Sequence, residues 1–116
     1  MTHLEISKLS VYKKASAYFI NLEDGLRLLG KNKEWLKTLE HCPSRFKRLQ
    51  QKGFTGETTI MIIDSQQKMI EMISYTDWLA LNAFLATNNN HKSIQILQYY
   101  AQYGFRYFCQ KSLGKI

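Results

Sequence analysis

Three histidines (His3, His41 and His91), two cysteines (Cys42 and Cys109) and nine carboxylates are the side chains equipped for acid–base, nucleophilic or metal chemistry. Their spacing organises none of these. His41 adjoins Cys42, but no second pair stands at a distance that closes a tetrahedral metal site. Gly25 with Gly30 lacks the middle glycine of a dinucleotide loop, and Gly53 with Gly56 lacks the Lys-Ser/Thr of a phosphate loop. No serine has the spacing of a nucleophile elbow. Glu23 and Asp24 read as first-turn acids that complement a helix dipole. The expectation is a protein with no catalytic residue, no metal and no cofactor, which acts by binding.

The cations carry the stronger signal. The chain is 116 residues long with a net charge of +7, and the charge is uneven. Residues 1–53 hold eleven Lys/Arg against five acids, residues 54–90 one against four, and residues 91–116 four against none. A basic excess favours polyanionic partners and excludes an acidic mimic of nucleic acid. The expected nucleic-acid contacts are Lys31, Lys33, Lys37, Arg45, Lys47, Arg48, Lys52 and Lys68, with double-stranded DNA as partner. A lysine-rich face that is simply solvated is the competing account of the same residues.

Local signals define the elements that would carry these cations. Ser16–Ile20 reads as a short strand. Asn21 caps a helix with Leu22, Leu26 and Leu29 on one face, and Gly30 ends it. Asn32 caps a second helix whose Trp35, Leu36 and Leu39 point inward. Pro43 opens a third, with Phe46 and Leu49 as its apolar side and Gly53 as its stop. Thr58–Ile63 and Met69–Ser74 flank the polar break Asp64–Gln67 and predict a β-hairpin. Ser74 and Asp77 form a capping box, Trp78–Ala86 is apolar nearly all round, and Asn88–Asn90 break it. A last helix is expected from about His91 to Ser112.

These elements predict one domain over residues 1–116: a helix-turn-helix-like region (16–53), a hairpin (54–74) and a C-terminal helical pair (75–116). The fold class expected is mainly α with a small β-hairpin, winged-helix-like, with the hairpin as wing. The last helix has two apolar stripes, which predicts a homodimer through Tyr99, Tyr100, Tyr103 and Tyr107. No apolar run approaches the ~18 residues of a membrane span. The first ten residues lack the pattern of an export signal, so a cytoplasmic location with reduced cysteines is expected.

The stretch ISYTDWLALNAFLATNNNHKSIQILQYYAQYGF, from Ile73 to Phe105, resembles the end of small phage regulatory proteins of the Rha and antirepressor type, departing from them at Tyr75 and Trp78. The segments Leu22–Gly30 and Lys52–Phe54 are similar to those of small proteins of cyanobacteria and their mobile elements. The resemblance implies a regulatory, DNA-binding role in a mobile-element setting. The leading expectation is therefore a non-enzymatic DNA-binding regulator or accessory factor. The alternative is a protein–protein adaptor or inhibitor that acts through the aromatic C-terminal helix.

Overall fold

The computed structural model describes residues 9–14, 16–62 and 68–104. In chain order the elements are β1 (Val11–Lys14), β2 (Ala17–Asn21), α1 (Leu22–Leu28), α2 (Lys33–Glu40), α3 (Pro43–Gln51), β3 (Thr58–Ile62), β4 (Met69–Ser74), α4 (Tyr75–Thr87) and α5 (His91–Tyr103). The four described strands form one antiparallel sheet in the order β1-β2-β4-β3.

The helix boundaries follow from side chains that satisfy the otherwise unpaired first N–H groups. Asn21 Oδ1 accepts from Asp24 N at 3.1 Å, and Asn32 Oδ1 accepts from Trp35 N at 2.8 Å. Gly30 and Gly53 take φ of +77° and +104° at the ends of α1 and α3, a region closed to most side chains. The three asparagines at the α4–α5 turn divide the work of reversing the chain. Asn88 Nδ2 donates to Phe84 O, Asn89 adopts φ 63°, and Asn90 Oδ1 accepts from Ser93 N at 2.9 Å. Asn90 Nδ2 also donates to Leu29 O, which ties this turn to the end of α1.

Residues directly opposite in an antiparallel pair share a face of the sheet. Val11, Ile20 and Ile73 align across β1, β2 and β4 and join the helices in one hydrophobic core. The core is centred on α4, where Trp78, Leu81, Phe84 and Leu85 are all buried. Trp78 is 1% exposed, and its Nε1 donates to the Tyr100 hydroxyl on α5 at 2.8 Å. A helix apolar around its whole circumference needs cover on all sides, and α4 obtains it from the sheet, α3 and α5.

This is an α+β architecture, not the mainly α, winged-helix-like fold that the pattern predicts. The predicted lone strand at Ser16–Ile20 pairs with β1, whose Val-Tyr-Lys-Lys sequence gives no clear alternation to read. The predicted hairpin exists, but it is no peripheral wing, because β4 lies between β2 and β3 inside the sheet. The capping box is half as predicted. Asp77 N donates to Ser74 Oγ, while the Asp77 carboxylate turns away to hold the loop before β3. The last helix stops at Tyr103, where Gly104 takes φ 85°, rather than continuing towards Ser112. The remainder of that predicted helix lies outside the described residues.

Candidate nucleic-acid interface

The predicted cations fall into three groups once folded. Those on and before α2 are largely engaged within the chain. Lys33 Nζ lies 2.8 Å from Glu71 Oε1 on β4. The hydrogen bond to Glu71 is the main reason its pKa is raised above the usual lysine value, with the Glu71 and Glu23 charges adding to it against a desolvation effect. Lys31 Nζ stands 5.2 Å from the centre of the Trp35 ring, a cation–π contact. Lys37 is exposed, but Glu34 and Glu40 flank it three residues away on either side, one turn of the helix. The helix expected to read DNA is thus electrostatically mixed.

The second group is on α3. Arg45, Lys47 and Arg48 are exposed, as is Lys52 at the helix C-cap. Arg45, Arg48 and Lys52 recur at i, i+3 and i+7 and share one stripe, with Lys47 on the flank beyond. The helix contains no carboxylate. Among the described residues, none of the four lies in an ion pair. Phe46 and Leu49 fix this orientation by turning inward, as their spacing predicts. Phe46 meets Phe54 edge-on with ring centres 6.2 Å apart.

The start of α3 is also distinct. Cys42 at its N-cap makes no side-chain capping bond, Pro43 occupies the first turn, and that turn holds no acid. The other four described helices each have an Asn or Ser cap. A cation such as Arg45 in the first turn opposes the helix dipole by about 0.3–1 kcal/mol, so local helix stability gives no reason for it. Uncapped N–H groups beside an arginine do suit a phosphate.

The C-terminal part of the same stripe opens on a cleft of about 340 Å³. Arg48, Gln51 and Lys52 line one side, and Phe84, Thr87 and Asn88 from the end of α4 line the other. Gln51, Thr87 and Asn88 were not foreseen from sequence. Gln51 follows Arg48 by one helical turn, whereas Thr87 and Asn88 come near it only by packing α4 on α3, for which no local signal exists.

Lys68 forms the third group. It lies just before β4, in a separate groove of about 600 Å³ that also contains Asp24, Arg27, Lys33, Met69 and Glu71. This groove is mixed in charge. Arg27 pairs with Asp24 at 3.1 Å, and Ser10 Oγ donates to Asp24 Oδ2 at 2.6 Å.

Of the four tyrosines expected at a dimer interface, Tyr99 and Tyr100 have described surroundings. Tyr100 is buried and its hydroxyl accepts from Trp78 within the chain. Tyr99 is half-buried against the core and edge-on to Tyr100. Tyr103 closes α5, and Tyr107 lies outside the described residues. His41 Nδ1 is 2.8 Å from Lys37 O, and Cys42 Sγ donates to Thr38 O, so both side chains turn back onto α2. Among the described residues no three His, Cys, Asp or Glu side chains gather as metal ligands would. No described helix is long and apolar enough to cross a membrane. Comparison with family models, curated proteins and solved structures finds no match to the chain.

Proposed function

We propose that the chain is a non-enzymatic DNA-binding protein whose phosphate-contacting element is α3. The observation that carries this reading is the outward face of that helix. Arg45, Lys47, Arg48 and Lys52 stand there without a carboxylate on the helix, and an uncapped N-terminus lies beside Arg45. Phosphates are the ligand that unpaired guanidinium and ammonium groups on a convex helix fit best, because backbone contacts need charge and reach rather than a pocket. The cleft at Arg48 and Lys52 extends the same surface to Asn88. The resemblance of the C-terminal segment to phage regulatory proteins supports a regulatory or mobile-element accessory role.

The test is titration of a labelled random duplex at 50 and 200 mM salt. Three to four phosphate contacts give a slope of roughly −3 to −4 in log affinity against log salt, or about a hundredfold loss across that range. Arg45→Ala with Arg48→Ala should weaken binding and flatten the slope by about 2 while leaving the melting temperature unchanged. Binding that ignores salt, or a double variant that binds like the parent, refutes the assignment to α3.

A further inference from the structure

The two edges of the sheet are built differently. β1 forms one edge and shows Lys13 and Lys14 to solvent, a common guard against addition of a further strand. β3 forms the other edge and reads Thr-Thr-Ile-Met-Ile, without charge or proline. Among the described residues no strand pairs with its outer side. Among the described residues β2 pairs with Met72–Ser74, so Ile60–Ile62 and Met69–Glu71 of the hairpin extend beyond the last β2 pair, with Ile70 buried and Glu71 held by Lys33. Register places Ile60, Ile62 and Met69 on one face of the hairpin, with Glu71 opposite Ile60, and the three apolar residues are 52%, 62% and 67% exposed.

We propose that β3 is a self-association edge, to which a second copy of this chain adds its own β3 antiparallel about a two-fold axis centred on Ile60. An isologous contact must be self-complementary, and an edge strand meets this condition through its own backbone N–H and C=O groups. Opposed residues must also share a face, which requires the axis to pass through a residue position. Centring it on Ile60 pairs all five residues of the strand. Ile60 then meets its copy, and Ile62 meets Thr58 of the partner subunit. The exposed isoleucines and Met69 of both copies merge into one apolar strip.

Self-complementarity selects a second copy as the occupant, and the charge distribution leaves this edge open to it. Two chains of net charge +7 repel, so a contact between them must avoid the cations of α3 and β1. β3 itself carries no charge and lies across the sheet from Lys13 and Lys14, and the cations nearest its exposed face, Arg27, Lys33 and Lys68, share their groove with Asp24 and Glu71. An acidic partner would be drawn to the basic surfaces instead. A two-fold axis perpendicular to the sheet keeps the helical layers of both copies on one side. If α3 contacts DNA as proposed above, the dimer presents two basic helices to a single duplex.

Sedimentation equilibrium of the full chain from about 1 to 100 µM, without nucleic acid, tests this apart from DNA binding. The expected result is a rise from the monomer mass of 13.6 kDa towards twice that value. Ile60→Lys, and separately Ile62→Lys, should weaken association by about tenfold with unchanged circular dichroism and melting, because both side chains are exposed and the former sets like charges directly opposite. A parent that stays monomeric throughout overturns the proposal. So does association that neither lysine variant reduces, since the contact then lies elsewhere.

Discussion

Gly25 occupies the middle of α1, where helix propensity alone recommends alanine. Replacing a mid-helix glycine by alanine normally stabilises by about 1 kcal/mol. Here the opposite is expected. A Cβ at Gly25 would lie 2.9 Å from Trp78 Cζ3 and 3.3 Å from both Trp78 Cε3 and Ile20 Cγ2. Neither neighbour can move cheaply. Ile20 is fully buried in a central strand, and the Trp78 indole is anchored by its hydrogen bond to Tyr100. Overpacking of this kind costs about 1–3 kcal/mol, and relaxing the indole also strains the Tyr100 bond. The net expectation for Gly25→Ala is a loss of roughly 1–2 kcal/mol, or a fall of about 4–8 °C in Tm for a domain of this size. Urea and thermal unfolding followed by circular dichroism measure it. Trp78→Phe removes the six-membered part of the indole that meets the new methyl. The double variant should therefore be more stable than the sum of the single losses predicts, by about 1 kcal/mol. A Gly25→Ala protein as stable as the parent, or strict additivity with Trp78→Phe, would refute the close packing of α1 on α4.

Two further substitutions probe the polar contacts that lock α4. Asp77 is fully buried, and its carboxylate accepts from Thr55 N, Thr55 Oγ1 and Gly56 N at 2.9–3.1 Å. Asp77→Ala leaves those donors without their acceptor and should cost about 2–4 kcal/mol, read as a lower urea midpoint, and a Thr55→Val background should shrink that loss. Tyr100→Phe removes the acceptor for the buried Trp78 indole N–H and should cost about 1–3 kcal/mol without changing the mass seen in sedimentation, whereas a variant of unchanged stability would place that N–H in contact with water.

Much of the helical layer is legible in the chain because its determinants are local. A cap links a side chain to a backbone N–H three residues on, so Asn21, Asn32 and Ser74 mark their helices without reference to the rest of the molecule. Gly30 and Gly53 mark ends for the same reason, since the positive φ they adopt is set by their own lack of a Cβ. The inward positions Leu36, Leu39, Phe46 and Leu49 also follow from helical period alone.

The sheet and the exposure of the cations were decided by tertiary structure. A strand's hydrogen-bond partners are backbone groups that look alike in every residue. Nothing local in Met69–Ser74 announces that β2 will pair on one side and β3 on the other. That insertion turned an expected wing into the centre of a sheet. The same non-local packing sorted the cations. Lys33 meets Glu71 only because folding brings the start of α2 beside β4, whereas Arg45, Arg48 and Lys52 keep their charge free on a helix that carries no acid. Tyr100 was sorted likewise, its hydroxyl claimed by Trp78 when α5 folds back on α4. Residue types and their spacing along the chain therefore determined which side chains could bind a polyanion. Which of them remain available depends on where opposite charges and aromatic rings arrive in space, and only the folded chain brings those together.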